Sequence, residues 1–341
     1  MIFEELKKIV DSNQQQGINT LYLKNMLREH LQLYILNFIY NHDTYNNLIF
    51  TGGTCLRHLY GLERLSKDLD FDYHDKFDSP LFKQELHDYF TKRFKYTDIR
   101  ILLKQQEKRI DCKFPVLKQL GIAGKNDSDF LIINVDLSQA QSRKYTTEKT
   151  PLSKFGFNFI VTHYDLPNLF AGKIHAALMR DQQHGQENRK TIKGRDFYDL
   201  IWFLKKSVFP NLDKLSDQLG EKISEDILVK KLDTRVNEVC THYLNDLESD
   251  LISFIANRDF VFNFRKNFKD EYNKYRSVLH YDKIQLFVLC KKCKKEFRAG
   301  IQVAKSAFES LSIINAGHSC PYCKTENILN RDDYIIHGID S

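Results

Sequence analysis

No stretch of this chain stays apolar for long. The longest mostly apolar run, Leu33 to Tyr40, is interrupted by Asn37 and falls well short of the roughly 20 residues a membrane helix needs. The opening segment, MIFEELKKIV, starts an amphipathic helix; it lacks the charged segment and following apolar run of a secretory leader. There is no internal repeat and no low-complexity tract. Charge is not one-sided either. Lys and Arg number 51 against 45 Asp and Glu, a net +6, which permits an acidic partner such as nucleic acid without requiring one. Two familiar ion-binding devices are absent. No lysine follows the glycines at 52 and 53 in the manner of a P-loop. The acid-rich stretch 68–78 lacks the central glycine and closing glutamate of an EF-hand. These absences lead to the expectation of a soluble, cytoplasmic protein with no membrane partner.

What is present begins with bulk. A length of 341 residues, 42% hydrophobic and 13% aromatic, suits two or three domains, with Phe and Tyr supplying much of the core volume. Residues 2–43 read as two helices, with Leu23, Met26, Leu27 and Leu31 at helical spacing. A strand at 48–50 leads into Gly52 and Gly53, and a helix is expected around 56–62. Ser79-Pro80 reads as a helix start running to about Phe94. Strands are expected at 68–73, 99–105, 130–137 and 154–162, then helices at 166–181, 195–206 and onward to about 279.

The densest chemistry lies in LIFTGGTCLRHLYGLERLSKDLDFDY. A glycine turn lets backbone amides approach a phosphate. Asp68 and Asp70, two apart on a strand, stand on one face. Such a pair is unfavourable unless a cation lies between, and carboxylate oxygens suit Mg²⁺. A two-metal site usually takes a third carboxylate from a neighbouring strand; Asp136 in FLIINVDLS is the candidate, and a solvent-facing strand-end Asp is the alternative. Lys173 lies on an apolar helix, where by itself it reads as a snorkelling lysine. Arg195-Asp196 opens another helix, where a first-turn acid favours the dipole; by itself it reads as a cap and ion pair.

The run from Gly52 to Phe71, and Arg64-Leu65-Ser66-Lys67-Asp68-Leu69-Asp70-Phe71 within it, resembles the AbiEii/AbiGii-type toxin nucleotidyltransferases, which include MenT-like toxins, in the polymerase-beta-like superfamily. The resemblance covers about residues 45–205. Cys55 stands where relatives more often have Ala, and Lys67 where they often have an acid. It implies that Gly52, Gly53, Thr54, Ser66, Lys173 and Arg195 hold an NTP. It further implies that Asp68, Asp70 and Asp136 hold two Mg²⁺ ions, and that Lys173 and Asp196 join the catalytic set. Asp196 would orient Lys173 or another basic group. Lys173, Arg195, Asp196 and Asp199 match the family's lysine helix and its Arg-Asp segment. The implied activity is transfer of NMP to an acceptor hydroxyl, with tRNA 3′ ends as one acceptor among relatives. The implied setting is a type IV toxin–antitoxin or phage-defence system with a cognate antitoxin. A protein or small-molecule acceptor, or a non-catalytic nucleic-acid-binding role, remains the alternative reading.

Of seven cysteines, four form CxxC pairs at Cys290/Cys293 and Cys320/Cys323. This spacing suits a closed structural Zn²⁺ site better than redox chemistry, which expects one CxxC on a βαβ unit. His318 is not needed as a ligand. Lys291, Lys292, Lys294, Lys295 and Arg298 surround Phe297 near the first pair; they suit a nucleic-acid backbone or simply a solvated surface. The expected fold is α+β: a nucleotidyltransferase domain with a small mixed sheet over 1–205, a helical domain over 206–280, and a four-cysteine, zinc-ribbon-like module over 281–341.

Overall fold

The computed structural model describes residues 2–14, 18–74, 76–180, 182–184, 189–279, 283–304, 308 and 311–338. Two helices open the chain, α1 (Ile2–Gln14) and α2 (Thr20–Tyr40). From His30 to Tyr40 every residue of α2 is buried, so this helix runs through the core instead of coating it. Asn19 caps it by accepting the Leu21 N–H. Then come β1 (Ile49–Thr51), α3 (Gly52–Leu59), β2 (Asp68–Tyr73) and α4 (Ser79–Asp88). The cap of α4 is Asp78, with Ser79 and Pro80 in its first turn. The expected helix to Phe94 continues past α4 only as a π-helical turn over Tyr89–Arg93.

Five strands follow: β3 (Arg100–Lys104), β4 (Arg109–Pro115), β5 (Phe130–Gln139), β6 (Thr147–Lys154) and β7 (Phe157–Tyr164). The strand expected over 154–162 is instead the junction of two. Phe155 and Gly156 both take positive φ, at 50° and 81°, and turn β6 back on β7 as an antiparallel hairpin. The seven strands form one mixed sheet in the order β3-β4-β5-β2-β1-β7-β6. The pairs β2–β5 and β1–β7 are parallel and the rest antiparallel.

Beyond the sheet lie α5 (Leu166–Met179), the short strands β8 (Gln182–His184) and β9 (Arg189–Thr191), and α6 (Gly194–Lys205). Then follow α7 (Leu212–Leu219), α8 (Glu225–His242), α9 (Leu244–Leu251) and α10 (Arg258–Tyr275). These helices bury Leu228, Val236, Leu247, Val261, Phe268 and Tyr272 in the same apolar cluster that contains Ile2, Phe50 and Phe114. A second, small cluster gathers Leu286, Val288, Cys290, Phe297, Cys320, Leu329 and Tyr334. It belongs to β10 (Lys283–Leu289), β11 (Glu296–Ala304), β12 (Ala316–Ser319), β13 (Glu326–Leu329) and β14 (Ile335–Gly338). No described helix is long and apolar enough to cross a membrane.

Candidate active site

Strand β2 alternates strictly at its start. Leu69 and Phe71 are buried in the core, while Asp68, Asp70 and Asp72 face the other way and line a cleft of about 290 Å³. The parallel register of β2 with β5 sets Asp70 opposite Asp136 and Asp68 opposite Asn134. The Asn134 amide donates to Asp68 Oδ1 at 2.9 Å. On β4, Arg109 lies opposite Asp136 and donates from Nε and Nη2 to its two carboxylate oxygens at 2.5 and 2.8 Å.

On the other side, Thr51 of β1 is opposite Asp70, and the chain turns at once into α3. Gly52 has φ +77°, and a Cβ there would lie 2.0 Å from Asp70 Oδ2; both facts require glycine. A Cβ on Gly53 would meet the Arg64 guanidinium at 2.8 Å and the Ser66 hydroxyl at 2.9 Å. The two glycines thus bring the N-terminus of α3, with its free N–H groups and positive dipole end, against the carboxylate row. That is an anion-binding arrangement.

The opposite wall comes from α5 and α6. Lys173 Nζ lies 2.8 Å from Asp199 Oδ2, and the same carboxylate takes two hydrogen bonds of 2.6 Å from Arg64. Burial alone would raise Asp199, but Arg64 and Lys173 hold it below the usual carboxylate range. Asp196 pairs with Arg180 at 3.2 Å. Arg195 pairs with Asp250 at 3.2 Å and lies 4.2 Å from the Phe254 ring centre. Lys193, also in the cleft wall, is lowered by burial and then by Arg180 and Arg195.

Asp70 is the electrostatic focus. Burial at the cleft floor, followed by the charges of Asp68 and Asp136, pushes its carboxyl up to about 7. Asp68 and Asp70 are hard oxygen donors of the type a divalent cation takes, Asp70 being held uncomfortably as an anion, whereas both oxygens of Asp136 are engaged by Arg109. Of the residues expected from sequence, Gly52, Gly53, Ser66, Asp68, Asp70, Asp136, Lys173, Arg195 and Asp196 all line this one cleft. Thr54 does not: it is fully buried, and its hydroxyl donates to the Asp68 carbonyl at 2.5 Å, tying α3 to β2. Asp199 lies beneath Lys173 and is fully buried. The sequence reading assigned no role to Arg64, Arg109, Arg180, Lys193 or Asn134. The last of these is the residue two before Asp136 on the same strand, which period-two alternation puts on the carboxylate face.

Away from the cleft, the four CxxC sulfurs lie within 4.8 Å of one another. Cys290 and Cys323 are 3.5 Å apart, and Cys293 and Cys320 3.7 Å. A tetrahedron with metal–sulfur bonds of about 2.3 Å has edges of about 3.8 Å, so the donor set fits zinc. The Thr325 hydroxyl, then its backbone N–H, pull the Cys323 thiol down to about 6, while Cys293, despite a backbone hydrogen bond at Lys295, is held up to about 11 by burial and by Cys290. His318 points its Nε2 at the Tyr334 hydroxyl, 2.6 Å away.

A glycine turn set against strand carboxylates in a mixed sheet is the arrangement of a nucleotidyltransferase. The chain belongs to the nucleotidyl transferase AbiEii toxin family of type IV toxin–antitoxin systems, whose profile matches residues 37–284. Membership makes it an enzyme of nucleotidyl transfer and implies a nucleotide substrate and an antitoxin partner. Among solved structures, it is similar to JHP933 from Helicobacter pylori at 17% identity, covering 75% of this chain and 95% of that one with a TM-score of 0.42. It is also similar to a candidate nucleotidyltransferase from H. pylori at 17% identity, covering 74% and 96%, with a TM-score of 0.39. No curated protein matches the sequence.

Proposed function

We propose that the protein transfers a nucleoside monophosphate from an NTP to the 3′ hydroxyl of an RNA, tRNA in particular, in a Mg²⁺-dependent reaction in the cytoplasm, as the toxin of its pair. The observation that carries this reading is the register of β2 and β5. Asp70 faces Asp136 with Asp68 two residues away, and all three open into the cleft beside Gly52. Asp68 and Asp70 are the residues that would hold two Mg²⁺ ions, with Asp136 completing a shell. Bound there, the ions would neutralise charge developing on the transferring phosphoryl group.

The chain's own groups do the rest. Gly52 and Gly53 present α3 backbone N–H groups to the phosphates. Ser66, buried beside Gly53, adds a hydroxyl at the same end. Lys173 and Arg195 supply positive charge at fixed positions, because each is already braced by a carboxylate. Positioned charge of this kind needs no reorganisation during reaction and is the main source of rate in phosphoryl transfer. Asp136, held by Arg109, would accept the proton of an incoming hydroxyl, which attacks the α-phosphorus and expels pyrophosphate.

The test is incorporation from each of the four α-labelled NTPs with Mg²⁺ and total tRNA, wild type beside Asp70→Asn. Label on RNA from wild type alone is the expected result and identifies the base. Label on protein or on a small molecule in place of RNA would overturn the acceptor assignment. Equal labelling by Asp70→Asn would overturn the site.

A further inference from the structure

The cysteine-bearing module, with its core of Leu286 to Tyr334, lies beyond the residues the family profile matches, which end at 284. Nothing in family membership therefore assigns it a task. Its folding brings two knuckle loops together, because Cys290, Cys293, Cys320 and Cys323 converge on one point. The loops are 290–295, reading CKKCKK, and 320–325, reading CPYCKT. They carry Lys291, Lys292, Lys294, Lys295 and Lys324 and no acid, and all five lysines are exposed.

A zinc ion bound by four thiolates leaves a net charge of about −2, which two of the lysines would balance. About three positive charges remain within the loops, and Glu296 and Glu326, the residue after each loop, reduce the excess to about one. Among the described residues no carboxylate forms an ion pair with any of the five. Lys291 donates to the Ile328 carbonyl at 2.8 Å, which fixes its stem without neutralising it. An aromatic ring stands in the same patch. Tyr322 is 58% exposed, and Lys295 Nζ lies 5.1 Å from its ring centre. Phe297, the aromatic nearest the first pair in sequence, is buried in the module's core and takes no part.

We infer that the knuckle face binds single-stranded RNA, with Lys292, Lys294, Lys295 and Lys324 along the phosphates and a base stacked on Tyr322. Exposed lysines beside an exposed ring match what single strands offer, alternating phosphate charge and unstacked base faces. The assignment of RNA as acceptor rests on the function proposed above, whereas the binding surface itself does not.

The experiment measures binding of a fluorescein-labelled oligoribonucleotide to the full chain across a salt series, alongside tRNA labelling. Zinc content and melting temperature serve as controls for folding. The variants are Lys292→Ala/Lys294→Ala/Lys324→Ala, Tyr322→Ala and Tyr322→Phe. The triple variant should bind more weakly, and its slope of log Kd against log salt should fall by about 0.7 for each phosphate contact removed. Tyr322→Ala should lose about tenfold in affinity at unchanged slope, while Tyr322→Phe stays close to wild type. Asp70→Asn should bind RNA as wild type does, which separates the two readings. If it and wild type label no RNA but the lysine variants lose binding, the acceptor assignment falls and the surface stands. If wild type labels RNA while the triple variant keeps its affinity and slope, the surface is overturned and the active-site reading stands. Equal affinity for duplex RNA or heparin would also overturn it, since neither offers an unstacked base.

Discussion

Arg64 and Asp199 form a fully buried two-armed ion pair, with both hydrogen bonds 2.6 Å long, between residues 135 apart in sequence. The pair joins the loop before β2 to α6, and Lys173 shares the same carboxylate. Its position under both the glycine turn and the lysine makes it the tie between the two walls of the cleft.

Breaking one side of such a pair leaves a buried charge with no partner, which costs about 3–5 kcal/mol. Asp199→Asn should therefore lower the melting temperature far more than Asp196→Asn, whose partner Arg180 is 45% exposed. Thermal unfolding of the two variants side by side checks this. Equal melting temperatures would show that Arg64 finds another counter-charge.

Asp70 gives a pH prediction with a definite sign. Its carboxyl sits at about 7 in the folded chain, raised by burial and then by Asp68 and Asp136, against an ordinary value near 3.8. The folded state thus holds this proton more tightly than the unfolded state. Stability without metal should fall as pH rises from about 4 to about 7 and stay reduced above that. Three pH units at about 1.4 kcal/mol each set an upper bound of about 4 kcal/mol. Asp70→Asn should therefore be more stable than wild type at pH 8 in chelator and converge with it below pH 4. Mg²⁺ should raise the melting temperature of wild type much more than that of the variant. Calorimetry at pH 4, 6 and 8 distinguishes these outcomes.

Gly52 should tolerate no side chain. Alanine there meets both a φ of +77° and a carboxylate oxygen 2.0 Å from its Cβ. Either the turn unwinds or Asp70 moves, and both displace the carboxylate from Asp136. Gly52→Ala should lose at least a hundredfold in nucleotidyl transfer, since placement errors of about 1 Å cost that much. Gly61 offers the contrast, with a similar positive φ but open space around its Cβ; Gly61→Ala should show only a stability loss of about 1 kcal/mol. Parallel rate and melting measurements separate the two effects.

Much of the cleft was legible because its residues follow local rules. Asp68 and Asp70 declare themselves by alternation with Leu69 and Phe71, and Gly52 by its place between a strand and a helix. Arg109 was not, although Ile110, Cys112 and Phe114 alternate with Arg109, Asp111 and Lys113. Charged residues and a proline mask that strand, and its partner is decided only by sheet register. β6 has a single buried residue, Leu152. As an edge strand it has little apolar pattern to read. Arg64–Asp199 is a tertiary pairing across 135 positions, which no local period can announce.

Zinc removal provides the last prediction. Among the described residues, the cysteine module has a core of seven buried apolar residues, two of them Cys290 and Cys320 themselves, with a few partly buried ones packed on it. A core that small cannot offset the entropy of ordering its strands, so its folding free energy must come largely from the metal. The cluster of Ile2 to Leu279 is far larger and includes no residue of the CxxC pairs. Chelation should therefore abolish amide protection in β10, β11, β12 and β13 while leaving α2, β2 and α6 protected. Hydrogen exchange by mass spectrometry on the full chain, before and after chelation and after zinc is restored, reads both regions at once. Cys320→Ser should reproduce the chelated pattern without chelator. Loss of protection throughout the chain would mean that the two cores fold as one, and unchanged protection in β10 would mean that the strands stand without metal.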